Sequence, residues 1–263
     1  MQRTSLLVGL VCSAFSLAAC SGNATDGANQ GGTGGSGGAT GGTGGGLSQS
    51  VCDAAAAFMP IDPTAMLDDL EDGNGAIARV GKRNGSWWVS TDGTAGTITP
   101  PADQPPIPEK ILGGRCGSKL AIRLTGSGFT NWGAVMSVGM AYSSQPDPVD
   151  LSAFKGLMLW ARVGEQNTSA IRAQFQDSQT QPEGGICTND MVSSEQCYDG
   201  FGTTLTPIDT NWRLYKLDFS RMAQRDFGHH GDALDTTAIY DLEFNLEPNS
   251  TFDLWVDDLY FYD

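Results

Sequence analysis

Between Trp87 and the C-terminus the apolar positions recur with a period of two and nowhere with a period near 3.6, which predicts strands instead of helices. Residues 156–162 (GLMLWAR) put Leu157, Leu159 and Ala161 on one face and Met158, Trp160 and Arg162 on the other. In residues 171–177 (IRAQFQD), Ile171, Ala173 and Phe175 face a core while Arg172, Gln174 and Gln176 face out. Residues 212–219 (WRLYKLDF) alternate likewise, and residues 239–246 (IYDLEFNL) present Asp241, Glu243 and Asn245 opposite Leu242, Phe244 and Leu246. Further strands are expected at 87–90, 120–124 and 135–141. The chain closes on residues 252–263 (FDLWVDDLYFYD), a buried strand whose alternation breaks at Asp257 and Asp258, where a bulge or an ion site could sit. Residues 66–72 (MLDDLED) mirror that stretch, so the two are expected side by side. A short helix or an irregular lead-in is expected at 51–59. The five prolines of 100–108 demand an extended crossing loop. About ten strands joined by Gly- and Pro-rich connections imply an all-β chain, a two-sheet β-sandwich or jelly roll.

Ahead of this region the pattern changes. Residues 1–19 carry one charge, Arg3, before an apolar run from Leu6 to Ala19 that is too short to span a bilayer, and they read as a secretion signal. The run ends in Leu17, Ala18, Ala19 and Cys20, which resembles the lipobox of bacterial lipoproteins, in which the cysteine is acylated and becomes the new N-terminus. Ser21 resembles the outer-membrane-sorted class. Residues 21–46 hold 13 glycines in 26 positions, no aromatic residue and one charge, Asp26, so they are expected to form a flexible tether. A coil of that length spans roughly 25–30 Å. The expected organisation is therefore a signal at 1–19, lipidated Cys20 and tether at 20–46, and one domain at 47–263, lipid-anchored in a bacterial envelope and facing the periplasm or the surface.

The chain carries a net charge of −15, and residues 47–263 carry the same −15 because Arg3 and Asp26 cancel. Such a surface repels nucleic acid and anionic lipid, leaving neutral ligands and divalent cations. Of six cysteines, Cys12 leaves with the signal and Cys20 takes the lipid. The remaining four allow three pairings; proximity favours Cys187 with Cys197, leaving Cys52 with Cys116, and an exported chain favours disulfides over a zinc site. His229 and His230 are the only histidines and lack further ligands near them in sequence, so no transition-metal site is expected. Residues 47–263 contain no GxSxG-type elbow.

LDDLEDG at 67–73, GKRNGSWW at 81–88, SKLAIRLTGSGFTNWGA at 118–134, DLSAFKGLMLWAR at 150–162, IRAQFQD at 171–177, NWRLYKLDFS at 211–220 and FDLWVDDLYFY at 252–262, taken in order, resemble the galactose-binding-like jelly rolls related to family 11 carbohydrate-binding modules. That resemblance implies a jelly roll, a concave sheet face that binds polysaccharide, and often a structural calcium ion. On the residues themselves, Arg172, Gln174, Gln176, Glu243 and Asn245, with Trp160 or Trp255 nearby, would form a face of planar polar groups and an aromatic plate suited to pyranose rings. Glu71, Asp72, Asp257 and Asp258 would hold the calcium between the first strand and the last. The expected function is non-catalytic polysaccharide binding by an anchored module. The alternatives are an envelope lipoprotein with a protein partner, and a small glycanase or lyase, for which Glu243 offers one carboxylate without a visible opposite.

Overall fold

The computed structural model describes residues 47–57, 62–190, 192–225 and 227–263. The signal, Cys20 and the tether lie outside the described residues. A helix, α1 (Gln49–Ala56), precedes β1 (Met66–Asp68), β2 (Trp87–Thr91), β3 (Thr97–Thr99), β4 (Glu109–Arg115) and β5 (Ser118–Ser127). Then come β6 (Ala134–Gly139), the small hairpin of β7 (Ala141–Tyr142) and β8 (Pro146–Asp147), β9 (Gly156–Val163) and β10 (Ile171–Asp177). The last four strands are β11 (Phe201–Thr204), β12 (Arg213–Asp218), β13 (Ile239–Leu246) and β14 (Thr251–Tyr262).

Two antiparallel sheets face each other as a sandwich. One has seven strands, in the order β12-β9-β14-β5-β3 with β1 added to β14 and β4 to β5; the other has five, in the order β11-β10-β13-β6-β2. Alternation decides what lies between them. Leu157, Leu159, Ile122, Leu254 and Val256 from the first sheet meet Ile171, Ala173, Phe175, Leu242 and Phe244 from the second in one buried cluster. Trp87 stacks on Phe244 at 6.4 Å and donates its indole N–H to the buried Asp68 carboxylate at 2.8 Å. Burial pushes the Asp68 carboxyl up to about 6.

The two mirrored stretches do pair: Met66 lies opposite Tyr260 in the β1–β14 ladder. The alternation of β14 breaks where expected, with a register shift between Asp257 and Tyr260 and Asp258 at φ 44°. Aspartate enters that left-handed region more readily than most residues, which suits it to a bulge. Both expected disulfides are present, Cys52–Cys116 and Cys187–Cys197. The first fastens α1 to the turn between β4 and β5. β3, β4 and β11 have no counterpart among the expected strands; they are short, polar or glycine-interrupted.

Two expectations are corrected here. Trp160 and Trp255 lie on β9 and β14, so they belong to the outer face of the seven-stranded sheet and not to the sheet that carries Gln174 and Glu243. There they alternate with guanidinium groups in one stack: Arg123 over Trp255 (4.7 Å), Arg162 between Trp255 and Trp212 (4.5 and 5.2 Å), and Arg115 between Trp212 and Trp160 (5.7 and 4.6 Å). Ala55 of α1, Ile111 and Ala121 join this second apolar cluster, and both Trp160 and Trp255 are buried. They are structural residues.

The acidic residues expected to bind calcium are engaged elsewhere. Arg115, 2% exposed, donates through Nε and Nη2 to Asp257 at 2.9 and 2.8 Å and also pairs with Asp258. Glu71 accepts from the backbone N–H groups of Lys119 and Leu120 and from the Ser118 hydroxyl. Asp72 caps its own turn through Asn74. Asp257 and Asp258 already have Arg115 as their cation, and Glu71 and Asp72 accept from other donors, so the four do not present the shared set of free oxygens that calcium needs. Among the described residues no group of three or more His, Cys, Asp or Glu could hold a metal ion.

Candidate functional site

The outer face of the five-stranded sheet is built in register. Trp88 of β2 lies opposite Ser137 of β6, Ser137 opposite Glu243 of β13, Glu243 opposite Gln174 of β10, and Gln174 opposite Gly202 of β11. The neighbouring row runs Ser90, Val135, Asn245, Arg172 and Thr204. Since these pairs share one side of the pleat, the alternation along each strand collects the polar side chains on a single floor. Gly202 keeps that floor low at its end: a Cβ there would lie 2.5 Å from the Cβ of Gln174.

A cleft of about 460 Å³ opens over the floor, lined by Trp88, Gln174, Glu243 and Asn245 together with Trp132, Tyr198, Arg225 and Phe227. Three of the aromatic residues stay uncovered: Trp88 is 37%, Trp132 39% and Phe227 39% exposed. That exposure sets them apart from Trp87, Trp160 and Trp255. Large apolar side chains left in solvent around a concave site are a signature of ligand recognition.

Each wall loop is pinned by an aspartate that accepts backbone N–H groups. Asp92 accepts from Asn131 (2.8 Å) and Gly133 (3.0 Å), which fixes the loop bearing Trp132. Desolvation pushes its carboxyl up, but those hydrogen bonds and two from Thr94, through its hydroxyl and its backbone N–H, outweigh it and hold the carboxyl far below the usual range. Gly133, at φ 92°, passes so close to the end of β13 that a Cβ would lie 2.0 Å from the Leu246 carbonyl oxygen. On the other side the buried Asp199 accepts from the N–H of Arg225 (2.9 Å) and of Phe227 (3.1 Å). Tyr198 lies beside it on a segment bound by the Cys187–Cys197 disulfide, with its hydroxyl donating to Asn189. His229 pairs with Glu195 at 2.6 Å, which joins the two segments of this wall. The walls are therefore set before a ligand arrives.

The floor is rich in acceptors. Gln174 and Gln176 both donate Nε2 to the same oxygen of Glu243, Oε2, at 2.8 Å each. Burial pushes the Glu243 carboxyl up, and these two amides pull it partly back. Burial, and then repulsion from Glu243 and Glu183, raise Asp241 to about 8, against a hydrogen bond from the Trp88 indole. Three buried polar atoms on this face have no protein partner: Ser137 Oγ, Gln176 Oε1 and Asn245 Oδ1. Unsatisfied buried polar groups are costly, and of these three residues Asn245 belongs to the cleft lining.

Of the residues expected to bind ligand, Gln174, Glu243 and Asn245 line the cleft. Arg172 and Gln176 share their face but are buried beneath the Tyr198 wall. Arg172 donates to the carbonyl oxygens of Gly200 and Ala223 and to Gln174 Oε1, so it knits the floor to the walls and does not present its charge to a ligand. Trp88, Trp132, Tyr198 and Phe227 were not among the expected ligand residues. The adjacent pair Trp87 and Trp88 did carry a signal, because in a strand one of two neighbours must face away from the core.

The family profile described as Carbohydrate binding domain 30 matches residues 81–263. No curated protein matches the chain. Among solved structures, a family 11 carbohydrate-binding module from Clostridium thermocellum, determined with a β-1,3-1,4-mixed-linked tetrasaccharide, is 16% identical with a TM-score of 0.46, covering 75% of this chain and 94% of that one. A family 30 module of a cellulosomal cellulase from the same organism is 13% identical with a TM-score of 0.46, covering 72% of this chain and 96% of that one. The matched span includes every strand of the cleft floor, and on it the chain belongs to the Carbohydrate binding domain 30 family, whose members are non-catalytic carbohydrate-binding modules.

Proposed function

We propose that the five-stranded face binds a polysaccharide laid across the strands, in a protein held to a bacterial membrane through acylated Cys20 and the glycine-rich tether. Sugar rings stack on Trp88 and Trp132, and ring hydroxyls bond to Gln174, Glu243 and Asn245. The observation that carries this reading is the set of exposed aromatic side chains at the edge of an acceptor-rich floor. Pyranoses bring an apolar C–H face and a rim of donors, and the cleft offers the complement of both.

Affinity electrophoresis of the purified protein in gels containing β-glucan, xylan, mannan or pectin tests it. Retardation is expected in at least one gel, and Trp88→Ala should weaken binding by about tenfold, the effect of losing about 1.4 kcal/mol of stacking. Unaltered mobility in every gel would remove the reading. The anchor is tested separately: labelled palmitate should be incorporated into the wild-type chain in a bacterial host and not into Cys20→Ser.

A further inference from the structure

We propose that the cleft prefers glycans bearing a protonated amine, chains rich in glucosamine, over neutral and N-acetylated ones, with the ammonium seated at Glu243. This rests on the glycan-binding reading and specifies its ligand.

The charge pattern inside the cleft supports the choice. Arg225 is neutralised by Glu247 at 3.0 Å, and the guanidinium of Arg172 is held by the Gly200 and Ala223 carbonyls. No described salt bridge reaches Glu243 or Asp241, which sit two residues apart on the same face of β13. Burying carboxyl groups without a cation is unfavourable, and a cation supplied by the ligand would relieve it.

Hydrogen-bond chemistry points the same way. The amide donors of the floor are committed, those of Gln174 and Gln176 to Glu243. What remains on the cleft lining are acceptors, namely Asn245 Oδ1 and the other oxygen of Glu243, since both described amide bonds converge on Oε2. A hydroxyl brings one donor and asks for a donor in return. An ammonium brings three donors and no acceptor, so it meets an acceptor surplus without leaving a group unmatched. The exposed faces of Trp88 and Trp132 add cation–π attraction at the cleft mouth.

Titration calorimetry of the full chain at neutral pH with oligomers of glucosamine, N-acetylglucosamine and glucose, matched in length, tests the proposal. Glucosamine oligomers should bind about tenfold more tightly than either neutral series, by the ammonium–carboxylate contact. Glu243→Gln, which keeps the shape of the floor, should erase that preference, so that the glucosamine series binds no more tightly than the neutral ones. The control Glu165→Gln, on an exposed turn, should leave it intact. Equal affinity for the three series in the wild type would overturn the proposal, as would a preference that survives Glu243→Gln, which would then belong to the overall charge of −15. Neutral glycans binding without an amine preference would leave the glycan-binding reading standing. Failure of all three series, together with the polysaccharide gels, would defeat both.

Discussion

The two outer faces of the sandwich use the same kinds of residue, tryptophan with charged and amide side chains, and put them to opposite ends. On the seven-stranded sheet every tryptophan of the stack has a guanidinium against its face, Arg115 and Arg123 have carboxylate partners, and Trp160, Trp212 and Trp255 are buried. On the five-stranded sheet the tryptophans stand in solvent, the two arginines nearest the floor are engaged elsewhere, and acceptors lack donors. A closed set of partners makes a structural face. An open set makes a binding face.

The comparison breaks first at its strongest points. Trp160→Ala should cost roughly 3–5 kcal/mol in folding stability, as large-to-small core changes do, yet leave glycan affinity of the folded fraction unchanged. Chemical denaturation alongside binding measurements checks this, and a loss of affinity comparable to that of Trp88→Ala would dissolve the distinction between the faces. Arg115→Ala should cost a similar ~3–5 kcal/mol, because it leaves Asp257 and Asp258 without their counter-charge in a buried site.

A smaller effect depends on pH. The Asp241 carboxyl is raised from 3.8 to about 8, so the native state holds its proton more tightly than the unfolded chain does. Its contribution is complete below the unfolded value and lost as pH rises through the folded one. Stability should therefore decline between about pH 4 and pH 8, by on the order of a few kcal/mol, and Asp241→Asn should flatten that slope. Denaturant midpoints across the range decide it; an unchanged slope would show that Asp241 is ionised in the native cleft. The smallest effect is expected at Arg213, whose pair with Asp209 is exposed: Arg213→Ala should change stability by about 0.5 kcal/mol or less.

Much of the fold was readable because four strands have chemically distinct faces. β9, β10, β12 and β13 alternate cleanly, and their in-or-out assignments hold for residues such as Leu157, Phe175 and Phe244. Alternation says which way a side chain points but not which of two sheets it points from. That is why Trp160 and Trp255 were grouped with Gln174, although their strands lie in the other layer. The floor was legible for the same reason that the strands were: Gln174, Glu243 and Asn245 occupy outward positions of periodic segments. The walls were not. Trp132, Tyr198 and Phe227 stand on loops whose shapes are set by hydrogen bonds to Asp92 and Asp199 and by the Cys187–Cys197 disulfide, and such contacts leave no period in a sequence. The acidic pair at 257 and 258 was rightly placed at a bulge, but its partner, Arg115, is 142 residues away and invisible to local pattern.

The position of β14 has a consequence for biogenesis. It lies at the middle of the seven-stranded sheet, between β9 and β5, and it also receives β1. Until residues 251–262 have emerged from the ribosome, β5, β9 and β1 lack their common neighbour, so the nascent chain carries three strands with open edges. Assembly of this sheet then waits on β14 and is dominated by pairings distant in sequence, such as Met66 with Tyr260, a topology associated with slow folding. A sheet that waits on its central strand keeps β1, β5 and β9 unpaired along one edge for longer than a sheet built from neighbouring hairpins would.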